Sequence, residues 1–168
     1  WRLSRRSLRG AFRVSLRDVQ IGLVAGFTVA LVIAVAYVLM QPWLGPFGPM
    51  IAEKSASLFP VAWYIPLALL FSIVHALFEE WYWRGFVHAE IRRLTSSFIA
   101  PLLSAIAFTA HHVIVLTQLF PGPLTIVFSF GVLVVGIFWA TLYQRTQSLV
   151  PSWISHIFAD AAIFAIGY

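Results

Sequence analysis

Residues 94–144 read LTSSFIAPLLSAIAFTAHHVIVLTQLFPGPLTIVFSFGVLVVGIFWATLYQ and contain no Asp, Glu, Lys or Arg. A helix needs about 20 mostly apolar residues to cross a hydrocarbon core roughly 30 Å thick. The stretch is long enough for two such helices, and Pro121, Gly122 and Pro123 mark a turn between them. Because a bilayer offers the backbone no water, each crossing segment must satisfy its own peptide groups, and continuous runs of this length do so as helices.

Outward from this stretch the pattern continues. Residues 19–52, 55–78 and 146–159 are also free of those four residue types. Over all 168 residues, 61% are hydrophobic and 10% charged, against about 45–50% and about 25% in an ordinary soluble domain. The fold class expected is therefore all-α: a polytopic transmembrane bundle of about five spans, at residues 19–39, 61–93, 97–119, 124–143 and 151–168. Gly22 and Gly26 are spaced for close helix contact. The first span is expected to stop before Pro42, and residues 41–60 to form an external loop with Trp43 at the interface. The second is longer than one bilayer: from Pro60 to Arg93 a helix would cover about 50 Å. It must tilt, kink near Gly85 or emerge from the membrane.

The charges that remain are unevenly placed. Six of the eleven basic residues are Arg2, Arg5, Arg6, Arg9, Arg13 and Arg17, immediately before the first span. Such a segment is held on the cytoplasmic side and drawn to anionic headgroups. The domain reading is a basic cytoplasmic segment at residues 1–18 and one transmembrane domain at 19–168. The expected location is the plasma membrane, multi-pass, with the N-terminus cytoplasmic. The net charge of +5 is thus explained by lipid and topology, and nucleic acid is not an expected partner. Arg92 and Arg93, and later Arg145, fall on the same side as the N-terminus. With no cysteine in the chain, disulfides, thiolate metal sites and a cysteine nucleophile are excluded.

Ionisable groups inside a membrane are costly unless paired, and are functional candidates for that reason. Three groups occur. In the first, Glu80 and Arg84 are four residues apart on a helix and can pair, while Glu79 points about 100° away toward another helix. In the second, Phe108-Thr-Ala-His111-His112, His112 shares a face with Phe108 and His111 points elsewhere, as a packing residue. The third aligns His156 with Asp160. Glu79 lies 13 residues above Arg92, His112 lies 15 above Ser97 and His156 lies 11 beyond Arg145. These depths agree to within about 6 Å, so three helices can present Glu79, His112, His156 and Asp160 at one level, in a cavity open to the cytoplasm.

A carboxylate and an imidazole on facing helices suit the activation of water, the carboxylate as general base and the imidazole as proton shuttle. A second imidazole can donate to the oxyanion formed when a carbonyl is attacked. Together these make an amide hydrolase. Neither a Gly-x-Ser-x-Gly elbow nor a His-Glu-x-x-His zinc signature occurs.

The Glu-Glu-x-x-x-Arg of Glu79 to Arg84, the Phe-x-x-x-His of Phe108 to His112 and the His-x-x-x-Asp of His156 to Asp160 resemble, in order and spacing, the CPBP family. This is the family of CAAX prenyl endopeptidases and bacteriocin-processing or immunity proteins, also called ABI. Arg84-Gly85-Phe86 and the run from Leu142 to Pro151 agree, and the resemblance covers roughly residues 65–164. It implies an intramembrane endopeptidase acting on a lipidated, CAAX-like or membrane-associated peptide, prenylated in one branch of the family. Glu79 would be the base and His112 its partner. His156 and Asp160 would form the oxyanion site, and Glu80 with Arg84 would hold the architecture or assist. The family motif often ends in Asn where this chain has Asp160, which donates only if protonated; Asp160 can instead orient His156. A metal-free reaction is favoured, with zinc held by Glu79, His112 and His156 as the alternative. Two other classes compete: a non-catalytic member that binds a peptide or membrane partner, as in immunity or scaffolding, and a proton-coupled carrier. The chain has no internal repeat of the transporter kind.

Overall fold

The computed structural model describes residues 14–49, 53, 61–120 and 122–167. The arginines from Arg2 to Arg13, Pro121 and half of the expected external loop lie outside them. The described residues are helical apart from short turns, without a strand, and five helices are long and apolar enough to cross a membrane. The protein is thus a multi-pass helical membrane protein.

The first helix, α1 (Leu16–Leu44), starts where Ser15 caps it. Ser15 Oγ accepts from the Asp18 backbone N–H at 3.1 Å and donates to Asp18 Oδ2 at 2.7 Å, so one free backbone N–H of the first turn is satisfied and the capping hydroxyl is itself held. The helix does not stop before Pro42. Pro42 lies inside its last turns, and the chain continues as a 3-10 turn over Gly45–Phe47. A proline removes one backbone donor, and this near a helix end costs one bond, less than unwinding the last turns where no water replaces their partners.

The overlong second span is one composite helix. It consists of α2 (Val61–Leu70), a π-helical stretch Phe71–His75, α3 (Ala76–Glu80), a second π-helical stretch Trp81–His88, and α4 (Ala89–Leu94). Gly85 falls in the second wide stretch, so the irregularity expected near it takes the form of i→i+5 hydrogen bonding. The short α-helical segment between the two wide stretches carries both glutamates. Then follow α5 (Ile99–Leu119), α6 (Gly122–Thr146) and α7 (Val150–Gly167).

Packing centres on α7, which touches α1, α2, the first π stretch, α3 and α6. Among the hydrogen bonds that tie it to the second span, Tyr64 Oη donates to the Phe164 carbonyl at 2.7 Å, and Trp153 Nε1 to the Ile73 carbonyl, inside the π stretch, at 2.9 Å. α5 lies along α6, with Gly136 admitting Ala105 and Phe108. The distribution of polarity is the reverse of a soluble protein. Phe27, Leu31 and Phe130 on the spans are exposed, while Glu79, Glu80, Arg84, His88, Ser152, Ser155 and His156 are buried. A surface in contact with lipid tails gains nothing by hiding leucine, so the interior is left to the groups that need partners.

α1 meets α7 through its two glycines. A Cβ at Gly22 would lie 2.9 Å from Ile154 Cβ, and one at Gly26 would lie 2.7 Å from Phe158 Cδ2. Gly22→Val and Gly26→Val are therefore expected each to destabilise the bundle by about 1–3 kcal/mol through overpacking. Gly48→Ala, at a position with nothing within 4 Å, is expected to be silent. Thermal unfolding of the purified variants in one detergent measures both.

Candidate active site

The polar interior begins with a buried ion pair. Glu80 and Arg84 are 0% and 1% exposed, and Arg84 Nη1 lies 3.2 Å from Glu80 Oε1, four residues apart as expected. The guanidinium is set against two aromatic faces, its Cζ 4.4 Å from the Phe108 centroid and 5.2 Å from that of Trp139. Cation–π attraction strengthens where the cation is desolvated, and it gives Arg84 favourable neighbours on the sides that Glu80 does not cover.

The same carboxylate reaches α7. His156 Nδ1 lies 2.9 Å from Glu80 Oε1. A carboxylate paired with arginine is an acceptor, so Nδ1–H donates and this fixes the imidazole tautomer. The ring is clamped from the side by Trp139, whose indole stacks on it at 4.1 Å and 23° and whose Nε1 donates to Ser155 Oγ at 3.0 Å. His156 Nε2 then faces Glu79 Oε2 at 3.7 Å and Asp160 Oδ1 at 3.6 Å. The orienting partner of His156 is thus Glu80 on the second span; Asp160 stands on the opposite, Nε2 side of the ring.

His112 is held by a local bond. Its Nδ1–H donates to the Phe108 carbonyl at 3.0 Å, and the Phe108 ring lies 4.2 Å from its own. With Nδ1 committed as donor, the bare lone pair is on Nε2, which points to Glu79 Oε2 at 3.9 Å.

Glu79, Glu80, Arg84, His112, His156 and Asp160 are thus brought into one cluster on three spans. Two further histidines join it. His111 Nδ1 lies 3.9 Å from Glu79 Oε1, so this residue does not point away as a packing residue: the adjacent imidazoles straddle the carboxylate, each facing a different oxygen. His75 Nε2 lies 3.9 Å from the same Oε1. Its four-residue spacing from Glu79 could have revealed it, but a count of Asp, Glu, Lys and Arg alone passes over a histidine.

The donor set also bears on metal. Among the described residues, one carboxylate oxygen of Glu79 and one nitrogen each of His111 and His112 lie within 4.8 Å of one another. Two imidazoles and a carboxylate are a donor set that zinc accepts. The set shares Glu79 and His112 with the expected one and has His111 in the place of His156, whose Nε2 also faces Glu79 Oε2, at 3.7 Å.

Replacing Arg84 by Met leaves Glu80 buried without its cation and is expected to cost about 3–5 kcal/mol, whereas pairing that change with Glu80→Gln recovers a large part of the loss. Denaturant titration of the two variants in micelles measures the difference.

A model of the family described as type II CAAX prenyl endopeptidase Rce1-like matches residues 61–162. Searches of curated proteins and of solved structures find no match. The matched region spans the composite second helix to α7 and contains every residue of the cluster. With more than half of its length matched, the chain belongs to the Rce1-like family of type II CAAX prenyl endopeptidases, and it is a membrane-embedded protease of that family type.

Proposed function

We propose that this protein is an intramembrane endopeptidase that cleaves a peptide bond of a lipidated, CAAX-like or membrane-associated substrate near the cytoplasmic leaflet. One observation carries the reading. The buried Glu79 carboxylate is ringed by imidazole nitrogens at 3.7–3.9 Å, a spacing that one water molecule can bridge.

In this reading Glu79 Oε2 takes a proton from water as its oxygen attacks the scissile carbonyl carbon. His112, with its lone pair on Nε2, shares that water and passes the proton on. The tetrahedral intermediate carries its negative charge on the former carbonyl oxygen. His156 Nε2 and Asp160 face that position, and either donates there when it holds a proton. Collapse breaks the C–N bond, and the proton held by Glu79 or His112 goes to the leaving amine. Glu80 and Arg84 set the position of His156 and do not exchange protons with substrate. A zinc ion held by Glu79, His111 and His112 would supply a Lewis acid and hydroxide near neutral pH. The side chains suffice for the proton transfers without it, and we assign the reaction to the glutamate type.

The orientation proposed places the N-terminus, Arg92, Arg93 and Arg145 in the cytoplasm. The domain proposed covers residues 19–168, with residues 1–18 as a basic juxtamembrane segment.

Glu79→Gln is expected to lower cleavage by at least about 100-fold, and His112→Ala comparably, with unfolding midpoints close to the parent. The readout is cleavage of a lipidated peptide in proteoliposomes. Full biological activity in both variants would instead identify a binding protein. Treatment with a chelator is expected to leave the rate unchanged; stoichiometric zinc whose removal abolishes cleavage would reassign the reaction to the metal.

A further inference from the structure

The two oxygens of Glu79 face different histidines. Oε2 meets His112 Nε2 at 3.9 Å and His156 Nε2 at 3.7 Å, with Asp160 beside the latter. Oε1 meets His111 Nδ1 and His75 Nε2, each at 3.9 Å. The proton transfers proposed above use the Oε2 side alone and leave His111 without a part. We propose that His111 is a substrate-binding residue whose Nδ1 accepts a hydrogen bond from the N–H of the scissile amide. This rests on the protease reading and adds the leaving-group side to it.

Neighbouring contacts decide which nitrogen of His111 is bare. His112 Nδ1 lies 3.0 Å from the Phe108 carbonyl, which can only accept, so that nitrogen carries the hydrogen. His111 Nδ1 lies 3.4 Å from the same nitrogen. Hydrogen on both would set two donors against each other, so His111 presents a lone pair at Nδ1 and carries its N–H on Nε2. That lone pair faces a carboxylate oxygen, a second acceptor, at 3.9 Å. Two acceptors so placed favour an occupant that brings hydrogen.

The ring is supported and yet open. Trp83 lies against it at 5.8 Å and 41°, and His112 meets it edge-on at 4.9 Å. Its side chain is 47% exposed, against 24% for His112 and 5% for His156. His111 therefore borders the open side of Glu79, where a peptide can arrive, and not the packed wall behind it.

Peptide geometry supplies the match. A trans peptide unit is planar, and its C=O and N–H point in opposite directions. With the carbonyl oxygen directed at His156 and Asp160 on the Oε2 side, the N–H of the same unit points away from them. An amide N–H without an acceptor is costly, and hydrocarbon offers no water in its place. His111 Nδ1, from another helix and on the other carboxylate oxygen, is such an acceptor. On collapse the nitrogen keeps this hydrogen and takes its second from Glu79 or His112, so the bond lasts from bound substrate to free amine.

The test pairs enzyme variants with a substrate lacking that N–H. A prenylated peptide ending in a CAAX sequence is cleaved by the full chain in proteoliposomes, and mass spectrometry of the products locates the bond. The matched depsipeptide has an ester oxygen in place of that nitrogen. His111→Phe and His111→Leu are expected to lower kcat/KM about tenfold on the amide and less than about twofold on the ester, which has no hydrogen to lose. His111→Asn, whose side-chain carbonyl accepts, is expected to recover most of the amide rate. Equal losses on amide and ester, or an unchanged amide rate in both variants lacking an acceptor, would overturn the assignment of His111. Glu79→Gln is the separate control: if it cleaves both substrates like the parent, or the parent cleaves neither, the protease reading fails and this one with it.

Discussion

The buried contact from Arg84 to Glu80 to His156 is the interaction on which the rest of the site depends. Glu80 Oε1 sits 3.2 Å from Arg84 Nη1 and 2.9 Å from His156 Nδ1, so one oxygen joins the second span to α7. Inside a bilayer this contact has no alternative in water: if the helices part, the Glu80–Arg84 pair stays on the second span but faces hydrocarbon without His156 or the aromatic rings. Its energy is thus less a sum of attractions than a penalty on every arrangement in which the spans are misaligned. The Arg84 guanidinium also lies against Phe108 and Trp139, which extends the same constraint to α5 and α6.

Once those helices are aligned, the Glu79 carboxylate needs no dedicated support. Glu79 is next to Glu80 in a short α-helical segment, and the turn of the helix directs it away from the ion pair toward the imidazoles. Adjacent acidic residues thereby stand apart: Glu80 holds Arg84 and His156 through Oε1, and Glu79 has only contacts at 3.7–3.9 Å and so keeps its lone pairs available. The tautomers follow the same division. His112 and His156 each spend Nδ1–H on a fixed acceptor, a backbone carbonyl in one case and Glu80 in the other, and each presents Nε2 to the same oxygen of Glu79.

Much of this was legible in the sequence for a simple physical reason: charges are expensive in lipid, so the few that remain inside the spans are informative. The five spans, the Glu80–Arg84 pair, the outward turn of Glu79 and the common depth of Glu79, His112 and His156 all followed from spacing and hydropathy. What was not legible depends on which way a side chain turns when every face is apolar. By sequence His111 reads as a packing residue, 100° from His112 on an ideal helix, yet the carboxylate is wide enough to meet both. His75 is silent in a count of formal charges. The extension of α1 through Pro42 depends on a local backbone choice at a helix end, where residue type decides least.

The π-helical stretches on either side of α3 carry a further meaning. A helix of regular pitch would repeat its lipid-facing and interior-facing positions in one phase from Val61 to Leu94. Each wide turn resets that phase, so the segment bearing Glu79 and Glu80 is rotated independently of the helix above and below it. The second span is in effect three short helices sharing an axis, with the orientation of the middle one set by wide turns and not by the apolar stripe of its neighbours. Sequence on either flank is then free to vary with lipid contact while the two carboxylates keep their heading.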